Sequence, residues 1–177
     1  MVGSNNMLKW LWLSALVAAL DLATKAIASH YLLLYQPVPV FPGFNWTLAH
    51  NSGAAFSFLA SESGWQRWFF SVIALVVSIG ITIWIKRLAP TQTWLAVALA
   101  LVLGGAIGNL WDRVTLGYVV DFIDVYYQQS HWPAFNIADS AICVGAVLLV
   151  IDSFRGERDD ATNDTNDTKE TKTKNGA

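Results

Sequence analysis

Four stretches of the chain are apolar over roughly the 20 residues that cross a bilayer. They cover about residues 8–28, 68–85, 93–111 and 135–154. The second and third contain no charged residue, whereas the first encloses Asp21 and Lys25 and the fourth carries Asp139 and Asp152. Eight tryptophans, among them Trp10, Trp68, Trp84, Trp94 and Trp111, cluster near the ends of the runs, as an aromatic belt at two water interfaces requires. The pattern predicts an all-α polytopic membrane protein with four transmembrane helices. Gly104, Gly105 and Gly108 give the third helix a face that neighbours can approach closely.

The segments between the runs are expected to be two outer loops, about 29–67 and 112–134. In the first, Asn45–Leu48 has the composition of a strand, Tyr31–Tyr35 reads as strand or helix end, and 61–68 reads as a short interfacial helix. A small β-sheet resting on the membrane surface follows. Composition sharpens the division of the chain. Of 11 Lys/Arg and 13 Asp/Glu, five and six fall in residues 155–177, which leaves 1–154 charge-poor. Residues 1–154 are therefore read as the membrane domain and 155–177 as a disordered polar tail. Lys9, Lys86, Arg87, Arg155 and Arg158 flank one side of the threading, which places both termini in the cytoplasm. A net charge of −2 offers no footprint for nucleic acid. The single cysteine, Cys143, rules out an intrachain disulfide and is read as a small packing residue. His30, His50 and His131 lack ligand spacing, so neither metal nor cofactor is expected.

Against this apolar background the polar residues gather on one side. A charge at the centre of a spanning helix costs on the order of 2.5–3.5 kcal/mol, which makes each one a functional hypothesis. Asp21 and Lys25 are four apart on one helix face; Asn109, Asp112 and Arg113 share another at the end of the third run. Asp121 follows Tyr118-Val119-Val120. Asp139 is the fifth residue of the fourth run, with no cation nearby in its own helix and Asn136 one turn earlier. The turn Asn51-Ser52-Gly53-Ala54-Ala55-Phe56 allows close approach of a ligand or a strand at Gly53. Asp124 is read as a surface or structural residue.

Taken in order, Asp21-x-x-x-Lys25, Asn51-x-Gly53-Ala-Ala-Phe56, Gly108-Asn109-x-x-Asp112-Arg113, Val119-Val120-Asp121-Phe122 and Phe135-Asn136-x-Ala138-Asp139 closely resemble the motifs of bacterial lipoprotein signal peptidase, signal peptidase II. The resemblance covers nearly everything but the tail. It implies an aspartic endopeptidase of the bacterial inner membrane that cuts prolipoproteins before a diacylglyceryl-modified cysteine, at a site near the periplasmic face. Carried onto this chain, the catalytic pair is Asp121 and Asp139. Asn51, Gly53, Asn109, Arg113 and Asn136 line or brace the site, and Asp21, Lys25 and Asp112 support it. The resemblance also implies a periplasmic β-cradle and a mobile surface helix. Its partners would be prolipoprotein substrates and membrane lipids, with cyclic peptides of the globomycin type as inhibitors.

Elementary chemistry agrees. Two close carboxylates cannot both ionise cheaply, so they share a proton. The ionised member can activate water and the protonated member can polarise a carbonyl. Three other classes fit parts of the pattern. A Ser–Lys peptidase would use Lys25, but no serine is motif-placed beside it. A small proton or ion transporter needs polar stations through the full membrane thickness, and here they gather on one side. A structural membrane scaffold predicts that neutral replacements of Asp121 and Asp139 are tolerated.

Overall fold

The computed structural model describes residues 6–53 and 65–154. A 3-10 turn, Met7–Trp10, leads into α1 (Leu11–Tyr31), followed by strands β1 (Val38–Phe41) and β2 (Phe44–Asn51). Next come α2 (Trp65–Arg87), α3 (Thr93–Thr115), β3 (Val119–Tyr127) and the short β4 (Ser130–His131). The last element, α4, spans Ile137–Phe154. All four helices are long and apolar enough to cross a membrane, at positions close to the four runs. The tail, Ala54-Ala55-Phe56 and residues 61–64 of the expected interfacial helix lie outside the described residues; Trp65–Trp68 form the first turn of α2.

The most enclosed helix is α3. It packs against α1 and α2, and small residues decide how closely. A Cβ at Gly104 would lie 2.7 Å from the Ser14 carbonyl oxygen of α1, and one at Gly145 would lie 2.7 Å from the Ala98 carbonyl oxygen. Gly105 meets the Ala138 backbone of α4 in the same way. Where side chains vanish, backbones pack directly, and Ser14 Oγ adds a hydrogen bond to the Ala100 carbonyl at 2.8 Å. At the end of the bundle away from the sheet, Met7, Ile81, Ile85, Leu99 and Leu103 form an apolar cluster. Cys143 departs from the packing role that its apolar run predicts: it is exposed. The face of α4 that meets α3 runs through Ala138, Ile142 and Gly145, and Cys143 falls on the opposite side of that helix.

The outer segments build one antiparallel sheet of order β1-β2-β3-β4. Asn45–Leu48 lies within β2 as expected, and Tyr31 ends α1. The outer segment expected at about 112–134 holds an element that the sequence reading did not place. Its stretch VVDFIDVYY forms β3, and the β-branched and aromatic residues there suit a pleated, half-buried surface. Gly117, at φ +91°, turns the chain out of α3 into β3, with the Leu116 and Gly117 N–H groups donating to the Asp112 carbonyl at 2.7 and 3.2 Å. Strands β2 and β3 pair Ala49 with Asp121, and their register shifts between Trp46 and Ala49. Such bulges re-aim side chains, and this one lies beside Asp121.

Candidate active site

Asp121 is the third residue of β3 and is buried. Asn51, at the end of β2, donates to its Oδ2 at 3.0 Å, and Asn136 donates to its Oδ1 at 2.7 Å. Burial pushes the Asp121 carboxyl up to about 7, the charge of Asp139 adds to the rise, and the amide bonds from Asn51 and Asn136 oppose it. The group is therefore poised to hold or release a proton near neutrality.

Asp139 is placed by a reciprocal cap. Helix α4 begins at Ile137 rather than at 135, so Asn136 is its N-cap and Asp139 its third residue. Asn136 Oδ1 accepts from the Asp139 N–H at 2.9 Å, and Asp139 Oδ2 accepts from the Asn136 N–H at 3.4 Å. This is the logic of a capping box, with Asn and Asp in place of Ser/Thr and Glu. Asp139 thus lies in the first turn of α4, shallower than its expected place as the fifth residue of the run. The Asn-x-x-Asp spacing is the sequence signal for that boundary. Asn136 bonds both carboxylates, which brings β3 and α4 to one point.

Beneath the pair lies a buried charge network. Lys25 Nζ contacts Asp21 Oδ2 at 2.7 Å, Asp112 Oδ2 at 2.9 Å and Asn109 Oδ1 at 2.9 Å. The helical spacing of Asp21 and Lys25 predicts a local pair; the contact to Asp112 comes from another helix. With its oxygen held by Lys25, Asn109 turns its amide toward Asp139 Oδ1 at 2.8 Å. The two supporting carboxylates also grip backbone. Asp112 Oδ2 accepts from the Val120 N–H at 3.1 Å, and Asp21 Oδ1 accepts from the Ala138 N–H at 2.9 Å. Each anchored residue directly precedes one of the paired aspartates. No side-chain pattern could have revealed these two amides.

Gly108 makes room for this arrangement, since a Cβ there would lie 2.5 Å from Asp21 Oδ2. Gly108→Ala is expected to cost about 1–3 kcal/mol, as overpacking does, and to lower activity with it. Gly80→Ala, where a Cβ meets nothing within 4 Å among the described residues, should leave both unchanged. Thermal melting and peptidase assays on the two variants in detergent check this.

The remaining expected residues are also accounted for. Gly53, at φ +92°, donates its N–H to Asn51 Oδ1 at 2.9 Å. The group that approaches it closely is the Phe70 ring of α2, 2.7 Å from where a Cβ would stand. Arg113 does not form a salt bridge with the paired aspartates among the described residues. Its guanidinium sits 5.5 Å over the Phe70 ring and donates to the Asn109 carbonyl at 3.4 Å. Asp124 is structural, as expected, and it is buried. It accepts from Asn45 at 2.8 Å and Thr47 at 3.1 Å and pairs with His131 at 2.7 Å. Burial alone would raise its carboxyl, yet the bonds from Asn45, His131 and Thr47 hold it below the usual range. That knot joins β2, β3 and β4 through residues to which the sequence assigns no role. A cavity of about 260 Å³ opens over Asp121, with Ala49, His50, Pro133 and Ala134 among its walls.

Four spanning helices, a small sheet and two carboxylates bridged by one asparagine define a multi-pass membrane protein built around a paired-carboxylate site. The family model of signal peptidase (SPase) II matches residues 13–155. The chain belongs to the signal peptidase II family, and it is a protease by that membership. A lipoprotein signal peptidase of Pseudomonas putida is 58% identical over 160 residues, covering 89% of this chain and 94% of its own. One from Pseudomonas aeruginosa is 58% identical over 153 residues, covering 85% and 90%. A solved bacterial membrane enzyme, determined by the in meso method at 1.9 Å resolution, superposes with a TM-score of 0.72 at 32% identity, covering 81% of this chain and 91% of its own.

Proposed function

We propose that Asp121 and Asp139 are the catalytic pair of an aspartic endopeptidase that acts on diacylglyceryl-modified prolipoproteins and cuts before the lipidated cysteine. Removal of signal peptides from prolipoproteins is the activity of the family to which the chain belongs. The observation that carries the aspartic mechanism is Asn136, whose side-chain amide donates to Asp121 Oδ1 while its backbone N–H donates to Asp139 Oδ2. The two carboxylates share one proton. The ionised member takes a proton from water as it attacks the scissile carbonyl, and the protonated member donates to the carbonyl oxygen as charge develops there. Asn51, Asn109 and Asn136 keep both groups aimed without supplying a proton themselves. Arg113, stacked on Phe70, places a cationic charge beside the site.

Positive residues near the ends of the spans support a threading in the inner membrane with both termini in the cytoplasm and the site near the periplasmic face. A site at that level suits a substrate whose acyl chains stay in the bilayer. Cyclic peptides of the globomycin type are expected to compete for it.

The test is cleavage of a purified diacylglyceryl-modified prolipoprotein, with its unmodified form as control, across a pH series. The one-proton state is active, so kcat/KM should fall above about pH 7, where Asp121 loses its proton. The linkage sign also follows. Between the ordinary carboxyl value of 3.8 and about 7 the folded chain keeps a proton on Asp121 that the unfolded chain has released. This group's contribution to stability therefore falls as pH rises through that window. A profile flat to pH 9 would remove the shared-proton mechanism; no cleavage at any pH would remove the proposed activity.

A further inference from the structure

The sheet has two working faces, and only one of them serves the aspartates. Side chains alternate along a strand, so Phe122 points to the face opposite its neighbour Asp121. There Phe122, Val120 and Leu48 pack on Ala28 at the outer end of α1. Beside that contact lies a second cavity of about 340 Å³, open on one side. Thr24, Ile27, Ala28 and Tyr31 of α1 form one wall, and Trp46 and Phe122 form the other. The two aromatic rings of the sheet wall lie 5.9 Å apart.

Among the lining side chains, polar atoms are confined to the Thr24 and Tyr31 hydroxyls and the Trp46 indole N–H, and the rest is hydrocarbon. The Thr24 hydroxyl is already spent on its own helix, donating at 2.8 Å to the Leu20 carbonyl and at 2.9 Å to that of Asp21. Among the described residues no charged side chain lines the cavity. The cavity is also continuous with the bilayer-facing surface of the protein. Leu16, Leu20, Ile27 and Tyr31 are all exposed on α1, and their spacings of four, seven and four put them on one stripe. That stripe runs along a spanning helix and ends in the cavity, where the flat lipid-facing surface becomes concave.

We propose that this cavity is a binding site for one acyl chain of a bilayer phospholipid, seated between α1 and the back of the strand that carries Asp121. The substrate's own acyl chains are not the occupant. They are tethered to the cysteine at the cleavage point, on the other face of the sheet, and β2 and β3 stand between. A chain seated on Trp46 and Phe122 removes apolar surface from the water interface. It also backs β3 where the strand's opposite face is catalytic. The choice of phospholipid over substrate rests on the role proposed above for Asp121 and Asp139; the cavity itself does not.

The test uses the full chain in nanodiscs made with a phosphatidylglycerol that carries a diazirine on one acyl chain, with crosslinked peptides mapped by mass. Crosslinks should concentrate on the strands Phe44–Asn51 and Val119–Tyr127 as well as on Ile27–Tyr31. Ile27→Trp, which fills the cavity, should reduce the strand crosslinks at least fivefold. Leu20→Trp, on the same stripe below the cavity, should leave them unchanged, with both variants shown by melting to be folded. Crosslinks confined to the helices, or strand crosslinks unaltered by Ile27→Trp, would overturn the site. Displacement of the strand crosslinks by an excess of a diacylglyceryl-cysteine lipopeptide would overturn the assignment to phospholipid and give the cavity to the substrate instead.

Discussion

Asp121→Asn and Asp139→Asn should each reduce cleavage of a diacylglyceryl-modified prolipoprotein by roughly 10³-fold or more, the scale of losing a general acid or base. An asparagine preserves the shape of the site and can still meet Asn51, Asn109 or Asn136, but it cannot carry the shared proton. The fold should survive, because Lys25 and its carboxylates hold the two segments independently of the pair. The assay is product mass against time, with melting and membrane extraction on each variant. Asp124→Asn is the contrast: its bonds tie strands together, so activity should stay within several-fold of native. Near-native turnover in either paired variant would reduce that residue to a structural one.

Lys25→Met should have the largest effect on folding. Lys25 is 3% exposed and lies between Asp21 and Asp112, whose side chains are 0% and 4% exposed. Removing the cation leaves two buried carboxylates facing each other, and breaking a buried pair in this way costs about 3–5 kcal/mol. The damage should reach the chemistry as well. Asp112 and Asp21 hold the Val120 and Ala138 amides, and Lys25 sets the amide of Asn109 that faces Asp139. Lys25→Arg is not expected to rescue, since a planar fork does not fit where a compact ammonium meets three oxygens. Adding Asp21→Asn to Lys25→Met should recover part of the lost stability, because one unpaired charge leaves with its partner. Melting temperatures of the single and double variants decide this; an unchanged melt for Lys25→Met would show that the network carries no structural weight.

Much of this molecule is legible in its residues alone. The four spans follow from run length, because a bilayer demands about 20 apolar residues whatever the fold. The importance of Asp21, Lys25, Asp112 and Asp139 follows from the cost of charge in apolar surroundings. Strand β3 escapes the pattern because a short run beside a spanning segment has no length to distinguish it from a helix end. The exposure of Cys143 escapes it too, because hydrophobicity in a membrane helix does not say which side faces a neighbour and which faces lipid.

The sequence by itself determined the membrane architecture, the gathering of polar residues toward one end of the spans and, through five ordered motifs, the family. These are one-dimensional properties: lengths, periods and residue identities. Only the tertiary structure decided that Lys25 serves Asp112 as well as Asp21, that Asn136 caps α4 while bonding both aspartates, and that Arg113 stacks on Phe70. It alone put Asp121 and an apolar cavity on opposite sides of one strand. Such contacts join residues far apart in the chain, such as Asp21 with Ala138, and depend on how closely glycine-faced helices approach. No local pattern encodes that distance.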